Sequence, residues 1–139
     1  KGANVLLMPH AARMKTWTED PDSEKAAAEF SGKYFRMIAT TRAYENSCYM
    51  VLCNQAGKAG IVDTYPQDSP NQPNHAGGCL VVDPHGEITA QTSFEKVQEE
   101  ILVADLLPEL LWEARSQPNY TIRQRRPELF RLLSETRNF

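Results

Sequence analysis

The residues of this chain best equipped for chemistry are Cys48, Cys53 and Cys79, the histidines His10, His75 and His85, and the carboxylate of Glu45. A cysteine attacks a carbonyl or nitrile carbon as its thiolate, which needs an electropositive and partly exposed setting, often a helix N-terminus. Cys53 and Cys79 instead lie in apolar runs, and all three cysteines read as small buried hydrophobes. An odd count without paired spacing argues against a disulfide framework and fits reduced thiols of a cytosolic protein. Glu45 and its neighbour Asn46 read as buried hydrogen-bonding residues that lock a helix to a strand, in preference to a general base. His75 falls in a loop and His85 in a turn. No pair of His, Cys, Asp or Glu has metal-ligand spacing, so neither a metal nor another cofactor is expected. His10 is the stronger candidate: it follows Pro9 at the end of an apolar run, with Trp17 in the loop beyond it.

Those residues need elements to place them. Residues 5–8 form a short apolar run ended by Pro9, consistent with a strand buried on both faces. Residues 10–23 read as a loop, and Asp22 or Ser23 suits a helix start with Glu24 in its first turn. Phe30, Tyr34, Met37, Ile38, Thr41 and Tyr44 or Glu45 then recur at three- and four-residue spacing up to about Ser47, giving a helix with one apolar face. Gly32 weakens that helix by about 1 kcal/mol relative to Ala, or admits another element closely.

Residues 49–54 read as a second buried strand, 60–76 as a proline-rich binding or contact loop, and 77–83 as a third strand. The turn Asp83-Pro84-His85-Gly86 leads into a short strand at 87–92, making a hairpin. Residues 100–105 (EILVAD) read as one more strand. Residues 107–115 read as a helix with Leu110, Leu111 and Ala114 inward and Pro108 in its first turn. The tail, 119–139, is polar and basic apart from Leu129, Phe130, Leu132 and Leu133. No repeat is visible, and the order of elements is a layered α+β pattern.

A chain of 139 residues suffices for one domain with a real core. Its 41% hydrophobic and 24% charged content is that of a soluble globular protein, and a net charge of −3 gives no reason to expect nucleic acid. No apolar run approaches the roughly 20 residues that span a bilayer, so no membrane partner is expected. Lys1-Gly2-Ala3 leads straight into a strand with no initiator Met, as in a chain cut from something longer.

In order and spacing, Lys1-Gly2-Ala3, Arg42-Ala43-Tyr44-Glu45-Asn46, Asn54 to Gly57, Gly77 to Gly86 and Arg126-Pro127-Glu128-Leu129 resemble the C-terminal half of the nitrilase superfamily of carbon–nitrogen hydrolases. The set is specific although each short motif is weak alone, and Cys79 stands where the family carries Ser. The resemblance implies that residues 1–139 are the C-terminal portion of one hydrolase domain, part of a four-layer α-β-β-α sandwich that is homodimeric or larger. It implies hydrolysis of a small-molecule amide, nitrile or N-carbamoyl bond by a Glu base, an oxyanion-stabilising Lys and a Cys nucleophile, all upstream of residue 1. No catalytic residue is therefore expected in this chain.

The same resemblance places His10, Ala11 and Trp17 at the substrate pocket. At Ala11 some carbamoylase relatives carry a polar residue. Glu45, Asn46, Asn54, Asp83 and Gly86 are implied to be structural, and 119–139 an interface tail. The rival expectation is a naturally truncated, non-catalytic relative that serves as an oligomerisation or interaction subunit. The coding sequence upstream of Lys1 discriminates the two.

Overall fold

The computed structural model describes residues 2–13, 21–58, 60–61, 63–69, 72, 74–94 and 97–130. The chain runs β1 (Val5–His10), α1 (Pro21–Asn46), β2 (Tyr49–Asn54), β3 (Ala56–Lys58), β4 (Asn74–Ala76), β5 (Cys79–Val82), β6 (Ile88–Gln91) and α2 (Pro108–Ser116), then a 3₁₀ turn at Pro127–Phe130. A four-stranded sheet has the order β1-β2-β5-β6. β1 and β2 are parallel, with α1 as the long crossover that parallel neighbours require, and β2, β5 and β6 are antiparallel. The mixed αβ class expected from the sequence is the one observed. Among the described residues the layers are one helix against one sheet.

Strand alternation sorts the sheet into two faces. Leu6, Met50 and Val82 stand side by side, as do Met8, Leu52 and Leu80, and all face α1. The facing helix stripe is Ala28, Gly32, Phe35, Ala39 and Ala43, every one buried. Small residues let the helix axis lie close to the sheet, and Phe35 fills the centre, where full burial of such a side chain is worth about 2–3 kcal/mol. This corrects the apolar face read from the sequence. Phe30 is 71% and Met37 59% exposed, and Tyr34, Thr41 and Tyr44 also point outward. The aromatic stripe lies on the outer side because the inner one is built from alanine and glycine.

Phe94 completes the core. It packs on Phe35 with ring centroids 6.3 Å apart and lies under the Arg36 guanidinium at 4.8 Å. A Cβ on Gly32 would stand 2.6 Å from Phe94 Cβ, and one on Gly78 2.1 Å from its ring. Gly32 thus admits a close neighbour, the second of its two expected uses.

Other boundaries differ from the expectation in physically legible ways. The helix is already formed at Pro21, a residue suited to a first turn, so Asp22 and Ser23 lie inside it instead of capping it. Gly77 and Gly78 have φ of 74° and 94°, outside strand geometry, so β5 begins only at Cys79. The 60–76 loop is fastened at its base by the β3–β4 ladder, two three-residue strands too short to show a period.

Residues 100–105 form no strand. They join no strand ladder among the described residues, where the Glu100 carboxylate accepts the Ser93 N–H at 3.1 Å, and Ile101 is 95% and Val103 85% exposed. The second sheet face is open only in part: Leu7 is 74% exposed and Cys53 is also at the surface, whereas Tyr49 and Val81 on the same face are buried. Cys79 is half-buried and only Cys48 is buried, which corrects the reading of all three thiols as buried hydrophobes.

Glu45 and Asn46 differ from the expected burial too. Glu45 is exposed and pairs with Arg42 at 3.0 Å, while the Asn46 amide donates to the Arg42 carbonyl one turn back in its own helix. The joint from α1 to β2 is made by backbone: Ser47 adopts φ 45°, its N–H donates to Tyr44 O, and Cys48 N–H donates to Ala43 O. Arg115 of α2 covers this joint, donating to Ser47 O at 3.1 Å, to Asn4 Oδ1 at 2.7 Å and to Ala3 O at 2.7 Å. In α2, Ala114 is buried and Leu110 and Leu111 are half-buried, on the side expected. Among the described residues no helix is long and apolar enough to cross a membrane.

Candidate functional site

Parallel strands that end side by side present their following loops on one rim, the usual place for a site in such sheets. β1 and β2 end together, with His10 opposite Asn54. Asn54 organises the rim. Its Oδ1 accepts the Ala12 N–H at 3.0 Å, and its amide donates to Gly77 O at 3.1 Å and to Ala12 O at 3.5 Å. Backbone bonds run beside these, from Gln55 N–H to His10 O and from Gly77 N–H to Gln55 O. One side chain thus ties the segment after β1 to the glycine turn before β5.

Of the expected pocket residues, His10 and Ala11 are on this rim and Trp17 lies outside the described residues. The His10 ring stands edge-on to Phe35 at 5.3 Å, and its Nδ1 is buried with no hydrogen-bond partner among the described residues. Such an orphaned nitrogen costs about 1–3 kcal/mol unless something occupies it. Ala11 is exposed.

His75, read from the sequence as a plain loop histidine, is buried on β4 beside the rim. Its Nδ1 is 3.1 Å from Ala12 O, so that nitrogen carries the proton, and its backbone bridges to Arg13. No periodicity or motif marks this residue. His85 is remote, with Nε2 4.0 Å from the Glu113 carboxylate.

Asp83 and Gly86 build the hairpin away from the rim. Asp83 Oδ1 accepts the His85 and Glu87 N–H groups at 2.8 and 3.0 Å. Gly86 has φ 86°, and a Cβ there would stand 3.2 Å from Tyr44 Cβ.

Cys48 and Cys79 are not set for attack. Burial pushes the Cys48 thiol up, with Arg115 only partly opposing it. Cys79 is pushed up to about 11, chiefly by burial and then by the hydrogen bond and charge of Cys53. A thiol held there is protonated at neutral pH and is no activated nucleophile. Among the described residues no three His, Cys, Asp or Glu side chains cluster as metal ligands.

A separate cleft of about 380 Å³ lies at the β6 edge, lined by Glu29, Arg36, Gln91, Thr92, Ser93 and Phe94. Arg36 Nε donates to Gln91 Oε1 at 2.9 Å within it. It contains none of the rim residues and neither Cys nor His, so its chemistry is that of a polar surface groove.

The sequence model of the carbon–nitrogen hydrolase family matches residues 25–116, more than half of the chain. The fold is similar to that of a carbon–nitrogen hydrolase from Helicobacter pylori G27, with a TM-score of 0.71 and 21% identity over 96% of this chain. It is also similar to Saccharomyces cerevisiae Nit3, a member of branch 10 of the nitrilase superfamily, with a TM-score of 0.50 and 24% identity over 77% of this chain. At these identities the likeness is one of fold. The chain covers 42% and 40% of the length of those two structures.

Proposed function

Since the chain belongs to the carbon–nitrogen hydrolase family, we propose that it supplies the scaffold and one pocket wall of an enzyme that hydrolyses a small-molecule amide, nitrile or N-carbamoyl bond. The Glu–Lys–Cys set comes from sequence upstream of residue 1, and residues 1–139 are the C-terminal portion of the domain. In that reaction a thiolate adds to the carbonyl or nitrile carbon, ammonia or an amine leaves, and water releases the acyl group from the thioester or thioimidate. This chain's part is to bind and orient. His10, Ala11 and Trp17 face the substrate, while Asn54, Asp83, Gly86, Glu45 and Asn46 serve the frame.

The observation that carries this reading is the Asn54 clamp, which fixes the segment after β1 at the strand ends with the unpartnered His10 Nδ1 beside it. The exposed Leu7 on the second sheet face, together with the exposed Ile101 and Val103, supports a wider sandwich of four layers, since such surfaces are normally covered. The exposed outer stripe of α1 and the 119–139 tail suit subunit contacts in a homodimer or larger assembly, and the thiol chemistry suits the cytoplasm.

The test compares the purified 139-residue chain with the polypeptide that carries the upstream coding sequence, on a panel of amides, nitriles and N-carbamoyl compounds. Turnover is expected only from the longer polypeptide. There His10→Ala should lower kcat/KM about tenfold, the worth of one ligand hydrogen bond. Turnover by the 139-residue chain, abolished by Cys53→Ser or Cys79→Ser, would refute the assignment.

A further inference from the structure

We propose that Cys53 and Cys79 form a reversible cross-strand disulfide, a redox-sensitive link between β2 and β5 beside the rim that Asn54 organises. The two residues are 26 positions apart in sequence, so spacing conceals them, but sheet register places them directly opposite each other. The kind of pairing matters. Asn54 N–H donates to Gly78 O at 2.9 Å, which makes Asn54 and Gly78 a hydrogen-bonded pair and leaves Cys53 and Cys79 as the non-hydrogen-bonded pair next to it. At such a pair the Cα atoms are about 4.5 Å apart and the side chains are close, within the span of roughly 4.4–6.8 Å that a disulfide bridges. The hydrogen bond and charge by which Cys53 acts on Cys79 require the same proximity. No backbone rearrangement is needed to join them.

Access favours the same pair. Cys53 is exposed on the second sheet face and Cys79 half-buried, whereas Cys48 is buried at the helix–strand joint. The co-reactant is a small-molecule disulfide. Cys53 attacks one of its sulfurs as a thiolate, the reagent's S–S bond breaks, one thiolate leaves, and Cys53 carries a mixed disulfide. Cys79 then gives its proton to solvent and attacks the Cys53 sulfur, expelling the second thiolate. Two protein thiols are oxidised to one disulfide and one reagent disulfide is reduced to two thiols.

The order is set by the surroundings. Burial, then Cys53 itself, then more weakly Glu100 hold the Cys79 proton, while a backbone hydrogen bond at Asn54 opposes them. The contributions of Cys53 end once its sulfur is in the mixed disulfide while burial, the largest cause, remains, so the second step is the slower and quickens as pH rises.

The test uses the folded, fully reduced chain incubated with oxidised glutathione, then alkylated, digested and mapped by mass spectrometry without reduction. One linked peptide pair joining Cys53 to Cys79 is expected, with the intact mass lowered by two hydrogens and full reversal by dithiothreitol. Cys48 should accept the alkylating reagent only after unfolding. In urea the preference for this pair should vanish, because the fold creates it, and Cys79→Ser should stop at a glutathione adduct on Cys53. A persistent adduct on Cys53 of the unmutated chain, a link through Cys48, links only between molecules, the same preference in urea, or no reaction would each overturn the proposal.

Discussion

Phe94 occupies the space that Gly32 and Gly78 leave, and Gly78 is glycine for two separable reasons. Its φ of 94° is unfavourable for any L side chain, and a Cβ would stand 2.1 Å from the Phe94 ring. The left-handed conformation alone costs about 1–2 kcal/mol and forced overpacking about 1–3 kcal/mol more. Gly78→Ala should therefore lower stability by roughly 3 kcal/mol in the unmutated chain, but by only about 1–2 kcal/mol where Phe94→Ala has removed the ring. Urea midpoints of the four proteins measure this, and equal penalties in both backgrounds would show that the ring contact contributes nothing.

A second expectation at this scale concerns pH. Cys79, Cys48 and Tyr49 all titrate above their ordinary values, mainly through burial. Each holds its proton more tightly folded than unfolded, so stability is full below the unfolded value and falls as pH climbs through the folded one. For Cys79 that window runs from 9.0 to about 11. Thermal melts under reducing conditions should show Tm falling across it, and Cys79→Ser should flatten the fall. A Tm that rises there would contradict the sign.

Among the elements, α1 carries two stripes with opposite duties, and substitutions separate them. Ala39 is fully buried against the sheet, so Ala39→Leu should cost about 1–3 kcal/mol by overpacking. Met37→Ser, on the outer stripe, should change stability by less than about 0.5 kcal/mol. Chemical denaturation of the two variants checks this, and the opposite ranking would put the helix the other way round.

The same element shows why some of the fold was legible in the sequence and some was not. Strand 49–54 and the core of the expected 77–83 strand, with the Asp83–Gly86 turn, stood out because continuous apolar runs and turn residues are local signals. The inward side of α1 did not, because alanine and glycine give a weak hydrophobic period beside Phe30, Tyr34 and Met37. The 100–105 run has strand composition, yet strand formation depends on a partner, which no local pattern reports. At the rim, His10 and Asn54 could be named from sequence. His75 and the facing of Cys53 with Cys79 arise from register across the loop and the sheet, a non-local property.

At the scale of the whole molecule, the outer stripe of α1, Leu7 and the 100–105 segment distribute apolar surface widely, while one side chain of α2 is fastened to the start of β1. Arg115 holds Asn4 and Ala3 across 111 and 112 positions of sequence, and Ser47 between them. Closing so long a loop is entropically costly, so such contacts form late, after local hairpins and helices. Arg115→Gln should then cost about 2 kcal/mol, appearing as roughly 30-fold faster unfolding with the refolding rate nearly unchanged. Stopped-flow chevrons decide this, and slower refolding would place the contact in the nucleus. On the ribosome the implication is temporal: with its clasp supplied by α2, the β1 end of the sheet waits for Arg115 to emerge before it is locked, and until then it is open to chaperones and proteases.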